Sequence, residues 1–311
     1  MRVVRISGGD GPDSISLEER PVPSPGPDEV RIRVAAAAVN PLDPFMWRSV
    51  GSGPLQPPLT PGMDAAGTID AVGAGVGRLA VGDRVMAVVN PRLPAGGAQA
   101  EMIVVPAASV VPIPESITLD QAATLPMTGL TALEGLRLLD LAPGATLAIT
   151  GGAGQMASYV IPLAKERGIR VIADAKPGDE ALVRSFGADD VVPSGNAFVG
   201  AVSQLVPDGV EAIFDTAGLT RSVLPAIRAA GAIAVIRGWD AAGAPDRGIK
   251  VHAVSVGPAL QNTEWLQLLI DQAARGRLQL RVAGVYAPED AMDAYVRMEN
   301  GGLRGRLVIA F

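Results

Sequence analysis

The chain of 311 residues contains no cysteine and a single histidine, His252. Without cysteine it cannot form a disulfide, a thiolate zinc site, an iron–sulfur cluster or a thiol nucleophile. One histidine also excludes a metal site built from several histidines, and a Ser-His-Asp triad would have to use His252 itself. That residue lies in an apolar segment without neighbouring ligand residues, which favours a position in a core or at a sheet edge. We therefore expect no metal.

Basic residues are fewer than acidic ones, and long apolar runs are missing. The 26 Lys and Arg against 32 Asp and Glu give a formal net charge of −6, which argues against a nucleic acid or an anionic membrane as partner. No stretch reaches the ~18 apolar residues of a membrane span, and the first residues lack the apolar core of a signal peptide. We expect a cytoplasmic protein of two domains, given the length.

Short strands separated by Gly and Pro are predicted in the first third of the chain. Between residues 30 and 37, apolar residues alternate with Arg31 and Arg33, which is typical of a half-buried strand. Close spacing of several such segments favours a mostly antiparallel, barrel-like domain. The predicted strands are residues 2–6, 15–19, 30–37, 66–72, 85–89 and 98–106.

Strands and helices alternate regularly after a predicted helix over residues 120–139. The strands are apolar throughout, which is typical of a parallel sheet covered on both faces. Strands are predicted at residues 146–150, 170–173, 191–192, 210–214, 232–236 and 250–256. Helices are predicted at residues 155–167, 178–186, 197–205, 221–229 and 263–274. After Gly276, strands at residues 278–286 and 306–310 flank a helix at 288–299 and return to the style of the first domain.

A glycine-rich turn between the strand at 146–150 and the next helix carries the strongest local signal. Its spacing is Gly152-x-Gly154-x-x-Ala157. Glycines let the backbone approach a pyrophosphate, and the helix N-terminus offers N–H groups and a positive dipole to the phosphates. We interpret this turn as a nucleotide-binding loop, although a turn without a ligand is the alternative. Its candidate residues are Gly152, Ala153, Gly154, Gln155 and Met156.

Two charged residues after the second strand of this segment bear on the choice between NAD and NADP. Asp174 lies about 20 residues beyond the glycine turn, where a carboxylate binds the ribose 2′-hydroxyl and repels a 2′-phosphate. Lys176 could instead bind that phosphate. A helix cap and a solvated surface lysine are the alternative interpretations, so both cofactors stay open.

Asn40 and Asp43 follow an apolar strand in the segment VNPLDP. An Asn amide could donate to a substrate carbonyl oxygen, and an Asp could orient or protonate it. Asn-Pro and Asp-Pro are also common turn sequences, and spacing alone favours a turn.

Four segments together resemble a known family: VNPLDPFMWR, PLTPGMDAAGTIDAVGAGVGRLAVGDRV, GGAQAEMIVVPAASVVPIPESITLDQAATLPMTGLTALEGL and GGLRGRLVIAF. In this order and spacing they are similar to the medium-chain dehydrogenase/reductase superfamily, most closely to its zinc-free quinone oxidoreductase (zeta-crystallin-like) branch. The resemblance implies an α/β fold with a GroES-like, β-rich barrel domain at residues 1–117 and 276–311. It implies a Rossmann domain, a doubly wound parallel sheet, at residues 118–275.

The resemblance also implies function. It suggests hydride transfer from NADP(H), or NAD(H), to a quinone or an activated, α,β-unsaturated carbonyl in a homodimer without metal. Asn40 and Asp43 would line the substrate site, with Thr128 and Thr131 at the nicotinamide or its ribose. The other cofactor-binding residues implied by position are Ser194, Ala217, Gly218, Ile236, Gly238 and Val256.

The sequence departs from the family pattern at two places. Gln155, Met156 and Ala157 stand where the family usually has Gly, Val and Gly, and Gln155 could reach a phosphate or narrow the site. Trp47 occupies a region where many members carry a Tyr over the nicotinamide, which weakens the case for an enoyl reductase. The alternatives are an enoyl reductase or a tailoring enzyme of specialised metabolism and, in another class, a catalytically weak NADPH-binding protein.

Overall fold

The computed structural model describes residues 1–7, 14–44, 59–239 and 245–311. Two compact units emerge from its internal contacts. The first consists of Met1–Met127, Leu260–Arg275 and Leu280–Phe311, and the second of Thr128–Ala259 and Gly276–Gln279. The predicted helix at 263–274 therefore belongs to the first unit, although the sequence analysis assigned it to the Rossmann segment. Trp47 lies outside the described residues.

Seven strands and two α-helices lie among the described residues before residue 140. The predicted strand at 98–106 begins only at Met102, and the predicted helix at 120–139 is two helices. Thr118 starts the first of them with a capping box, and Pro126 fits only the first turn of the second. The elements are β1 (Arg2–Ile6), β2 (Ile15–Glu19), β3 (Glu29–Val39), β4 (Asp64–Val72), β5 (Arg84–Val88), β6 (Met102–Pro106), β7 (Val110–Pro112), α1 (Leu119–Ala122) and α2 (Pro126–Leu139).

The next segment alternates strands with helices as predicted, with one exception. Residues 221–229 do not form an α-helix: a 3₁₀ helix, Thr220–Ala226, contains Pro225, and the following strand already starts at Ile227. Proline lacks the N–H that an α-helix needs there. The elements are β8 (Thr146–Thr150), α3 (Ala157–Glu166), β9 (Arg170–Ala175), α4 (Glu180–Ser185), β10 (Asp190–Pro193), α5 (Phe198–Leu205), β11 (Val210–Asp215), β12 (Ile227–Val235) and β13 (Lys250–Ala253).

The last elements are α6 (Thr263–Ala274), β14 (Val282–Tyr286), α7 (Ala291–Glu299) and β15 (Arg306–Ala310). In the first unit, β14, β15, β3, β4, β5 and β7 lie in this order in a seven-stranded sheet, and β6 pairs with β3. Apart from the parallel pair β14–β15, neighbouring strands are antiparallel. The alternation predicted for β3 is confirmed, because Val30, Ile32 and Val34 are buried while Arg33 is exposed.

The second unit contains a six-stranded sheet in the order β10-β9-β8-β11-β12-β13. All its strand pairs are parallel. Every residue of β8 is buried, as expected for a strand covered on both faces. The fold class predicted from the sequence, a β-rich GroES-like domain and a doubly wound Rossmann domain, is confirmed.

Candidate functional site

The second unit has a topological switch point between β8 and β11. From β8 the chain proceeds to β9 on one side, and β11 lies on the other side. In such a sheet the helices after the two strands leave towards opposite faces, and a crevice opens at the carboxyl ends of the strands, where open α/β sheets bind ligands. Gly152–Met156 follow β8, whereas Ala217 and Gly218 follow β11. The structure therefore brings these predicted residues to the same edge.

The glycines of the loop after β8 serve different purposes. Gly151 has a φ of 68°, the left-handed region that favours glycine. A Cβ on Gly152 would lie 2.2 Å from the carbonyl oxygen of Asp174, so no side chain fits there. A Cβ on Gly154 would meet only the carbonyl oxygen of Gly151, at 3.0 Å. The first two glycines thus serve the backbone itself, whereas a Cβ at Gly154 would meet one backbone oxygen closely and no other atom of the described residues within 4 Å.

Gln155 is the residue at which the loop departs from the family pattern. Its side chain is 9% exposed. Its amide Nε2 donates to the hydroxyl of Tyr159, one helical turn further on, over 2.6 Å. Ala157, at the start of α3, is fully buried, as close packing of helix and strand requires. The amide group of Gln155 is thus turned to the helix rather than standing free in the loop.

A pair of residues that the sequence analysis missed joins the two sides of the switch point. The hydroxyl of Thr150, the last residue of β8, donates to Oδ1 of Asp215, the last residue of β11. Asp215 also accepts from the backbone N–H groups of Gly218, Leu219 and Thr220. It thereby shapes the loop after β11. A polar residue ending each of two apolar strands was the available signal in the sequence.

Asp174 is buried, 3% exposed, under the glycine loop. Its Oδ1 accepts from the backbone N–H of Gly152 over 2.7 Å. Burial raises the pKa of this carboxyl group, and the loop N–H groups act in the opposite sense. Lys176, two residues on, is exposed. Asp174 thus holds the loop, and its contact with a ribose stays a prediction.

The remaining predicted cofactor residues lie beyond the carboxyl ends of the strands or on α2. Ser194 follows β10 and donates its N–H to Ala175 at the end of β9, while Gly238 has a φ of 77°. Near it, the guanidinium of Arg221 lies over the ring of Trp239, 4.9 Å from the ring centroid. Ile236 and Gly238 follow β12, Val256 follows β13, and Thr128 and Thr131 are buried on α2.

In the first unit, Asn40 and Asp43 are held in a buried polar cluster. Asp43 is completely buried, and its Oδ2 accepts from the backbone N–H of Asn40 over 2.8 Å and from the hydroxyl of Tyr295 over 2.9 Å. Its Oδ1 accepts from the N–H of Gly62 over 3.3 Å. Burial raises the pKa of Asp43 to about 6, although these donors favour the charged form.

Asp64, the first residue of β4, belongs to the same cluster and was also missed. Its Oδ2 accepts from the side-chain amide of Asn40 over 2.7 Å, and its Oδ1 accepts from the backbone N–H of Met127. Burial raises the pKa of Asp64 to about 6, and the positive charge of Arg306 opposes that shift. One N–H of the Asn40 amide is therefore used inside the protein, and its action on a substrate stays a prediction.

The described residues give no sign of a membrane span or of a clustered metal site. Among them, no helix is both long and apolar enough to cross a bilayer. Within the same ranges, no group of three or more His, Cys, Asp and Glu side chains is arranged to hold a metal ion.

Sequence profiles of two known domains match the chain. The alcohol dehydrogenase GroES-like domain matches residues 26–115, in the first unit. The domain described as zinc-binding dehydrogenase matches residues 186–309. The chain belongs to the medium-chain dehydrogenase/reductase superfamily. Within this superfamily it groups with quinone oxidoreductases and enone reductases, as the motifs in the sequence indicated, and the prediction of an oxidoreductase is confirmed.

The proteins to which this chain is similar match it over different lengths. It is 29% identical over 311 residues to 2-methylene-furan-3-one reductase of Solanum lycopersicum, which covers 96% of this chain and 76% of that protein. It is 32% identical over 198 residues to the chloroplast envelope quinone oxidoreductase homolog of Arabidopsis thaliana, covering 60% of this chain and 58% of that protein. The structure of mycobacterial Rv1454c complexed with NADPH is similar over the full length of both chains, with 27% identity and a TM-score of 0.87.

Proposed function

We propose that this protein uses NADPH to reduce a quinone or an activated, α,β-unsaturated carbonyl without a metal. The observation that carries the proposal is the switch point, where a glycine-rich loop follows β8 and the Thr150–Asp215 pair orders the loop after β11. Two relatives support a quinone or an activated carbonyl as the substrate, since one is a furanone reductase and the other a quinone oxidoreductase homolog. The similar mycobacterial protein was solved with NADPH.

The residues at this edge suit a dinucleotide. The pyrophosphate would lie against Gly154 and the N-terminus of α3, because the positive end of the helix dipole favours an anion there. Bound there, the cofactor supplies the hydride. The other proposed contacts are Ala153, Gln155, Met156, Thr128, Thr131, Ser194, Ala217, Gly218, Ile236, Gly238 and Val256.

The preference for NADPH over NADH is proposed on the contrast between two side chains. Lys176 is exposed after β9, whereas an oxygen of Asp174 is already bonded to Gly152. A carboxylate oxygen that accepts from the loop has less capacity for a ribose hydroxyl. An exposed ammonium beside it is well suited to a 2′-phosphate.

Asn40 and Asp43 are proposed to act on the substrate. Hydride transfer leaves negative charge on the acceptor oxygen, and a preorganised N–H donor stabilises that charge as it develops. An amide side chain has two N–H groups, and Asp64 takes one of them from Asn40. Asp43 fixes Asn40 through its backbone N–H.

Independence from metal rests on the donor set of the sequence itself. The chain has no cysteine and one histidine, so a Cys- and His-based zinc site cannot be assembled from it. Activity is therefore expected to survive EDTA. A loss of activity in EDTA that zinc restores would contradict this part of the proposal.

The deciding experiment follows oxidation of NADPH at the nicotinamide absorbance with a simple quinone and with an enone as acceptors. Turnover with the quinone supports the proposal, and identification of the enone product separates carbonyl reduction from enoyl reduction. Tight NADPH binding without turnover on either acceptor would favour the alternative, a catalytically weak NADPH-binding protein. A homodimer and a cytoplasmic location stay predictions, to be checked by light scattering and by fractionation.

A further inference from the structure

Two buried carboxyl groups of the first unit belong to one continuous chain of hydrogen bonds. Tyr295 donates to Asp43, which also accepts from the backbone of Asn40; the amide of Asn40 donates to Asp64. At its far end, Asp64 accepts from the backbone N–H of Met127. All four polar side chains are at most 2% exposed. This series of hydrogen bonds therefore ends at a backbone N–H of a helix rather than in solvent.

The N–H of Met127 lies at the beginning of α2. Pro126, the first residue of the helix, has no N–H, so Met127 carries the first backbone donor. Leu125, which precedes the helix, has no side-chain oxygen to cap it. A carboxylate at this end satisfies a donor that the helix leaves without a partner and interacts favourably with the helix dipole. Asp64 thus caps α2 although it lies 63 residues before Met127 in the sequence.

The beginning of α2 carries two of the proposed cofactor contacts. Thr128 directly follows Met127, and Thr131 lies less than a turn and a half further on, both buried. A shift of the first turn moves both hydroxyl groups together because they belong to one rigid helix. We propose that Asp64 is a positioning residue for the dinucleotide, which holds the first turn of α2 and through it Thr128 and Thr131. This inference rests on the proposed function.

The cost of the arrangement supports a role beyond stability. Burying a carboxyl group has a large desolvation penalty, and even a well-paired buried charge contributes little net stability. The chain nevertheless buries Asp64 beside a second carboxyl group, that of Asp43, with Arg306 as the nearby positive charge. An apolar residue at position 64 would remove the carboxylate that accepts from the N–H of Met127 and from the amide of Asn40.

The sharpest test leaves every polar side chain of the cluster in place. Met127→Pro removes the backbone N–H together with the methionine side chain, in the first turn of the helix, where proline is tolerated. Met127→Ala removes the same side chain but keeps the N–H. Dissociation constants for NADPH are measured by fluorescence, together with kcat, KM for NADPH and the melting temperature. We expect Met127→Pro to bind NADPH about fivefold more weakly than Met127→Ala, the size of effect typical of a lost helix cap.

Changes at the acceptor complete the test. Asp64→Ala should weaken NADPH binding about as much, and Asp64→Asn, which keeps an acceptor oxygen for Met127, should restore most of the affinity. Tyr295→Phe perturbs the same cluster at its other end and should lower the melting temperature without changing the affinity.

Three results would overturn the inference. Equal NADPH affinity of Met127→Pro and Met127→Ala would do so, as would full affinity in a folded Asp64→Ala protein. Equal weakening by Tyr295→Phe would reduce Asp64 to a general contributor to stability. A wild-type protein that reduces quinones while these variants bind NADPH normally retains the proposed function. A wild-type protein that binds no NADPH overturns the proposed function, and the inference with it.

Discussion

The hydroxyl of Thr150 and the buried carboxylate of Asp215 are joined by a 2.6 Å hydrogen bond between the ends of two adjacent parallel strands. The same hydroxyl oxygen accepts from the backbone N–H groups of Thr216 and Ala217. One side chain therefore serves the end of β8 and the loop after β11.

Replacement of Thr150 by the isosteric Val should destabilise the fold and weaken cofactor binding. Asp215 loses a donor and two loop N–H groups lose their acceptor, a loss of about 1–3 kcal/mol in the free energy of unfolding. Urea unfolding and NADPH titration measure the two effects. Thr146→Val, at the other end of β8, is the matched control; an equal loss of affinity in that variant would argue against a role specific to the switch point.

Gly154→Leu should fold and lose NADPH binding. Within the described part of the chain, an added Cβ would have one neighbouring atom within 4 Å, the carbonyl oxygen of Gly151. The rest of the Leu side chain would extend into the space proposed for the pyrophosphate. Calorimetry measures the affinity, and circular dichroism checks the fold. Gly152→Ala is the contrasting variant: its Cβ would collide with the backbone of Asp174, so it should lose stability instead. Unchanged NADPH affinity in Gly154→Leu would refute the interpretation of the loop.

The choice of cofactor should depend on Lys176 and Asp174 in opposite senses. Lys176→Ala should lower the ratio of kcat/KM for NADPH to that for NADH, and Asp174→Ser should raise it, since a carboxylate near the 2′-phosphate is repulsive by roughly 1–2 kcal/mol. Asp174→Ser should also lose stability, because Gly152 loses a charged acceptor. Lys250→Ala, at the amino end of β13, is the control. Identical ratios in all four proteins would remove the pair from the binding site.

The first unit should become less stable as the pH rises from about 4 to above 6. The pKa of Asp43 and of Asp64 is raised from 3.8 to about 6 in the folded chain, so the folded state binds more protons in this window. Each carboxyl group then lowers the free energy of unfolding at neutral pH by something on the order of 2–3 kcal/mol.

Other titratable groups with shifted pKa values also contribute to the pH dependence of stability. His252, whose pKa is lowered by burial, opposes the trend in the same window, while Asp70 and Glu101, whose pKa values are lowered, act at more acidic pH. Urea unfolding of wild type and of Asp43→Asn at pH 5 and pH 7.5 isolates one carboxyl group. In the variant, the free energy of unfolding at pH 7.5 should be higher, relative to its value at pH 5, than it is in the wild type. Parallel pH dependence of both proteins would contradict the raised pKa.

Asn40→Ala should lower kcat/KM for the acceptor by roughly 10- to 100-fold, less than the ~3–4 kcal/mol seen for a lost oxyanion donor, because a quinone spreads its charge. Affinity for NADPH should stay within about twofold, since Asp64 keeps its bond to Met127. Asp43→Asn should matter mainly at a step that needs a proton. Melting curves recorded beside the kinetics separate chemistry from folding. Normal turnover in a folded Asn40→Ala protein would assign Asn40 to the turn alone.

Much of the fold was accessible from the sequence because its signals are local. The apolar runs of β8, β9 and β11 predicted a parallel sheet covered on both faces, and the alternation around Arg31 and Arg33 predicted a half-buried strand. The glycine spacing after β8 indicated the loop, since tight turns and close backbone approach require glycine. The prediction failed at residues 221–229, where the alternation of strands and helices suggested a helix although Pro225 prevents an α-helix there.

Only the tertiary structure decided which polar residues meet. Tyr295 donates to Asp43 across 252 residues of sequence, and Asp64 caps a helix that begins 62 residues later. The periodicity of the sequence does not predict such pairs, because strand order and register determine which side chains are buried together. Hydrogen bonding then becomes compulsory, since an unpaired buried polar group is costly. Residue types and their local spacing determined the loop and the strands; the topology determined that Asn40 lies between two carboxyl groups.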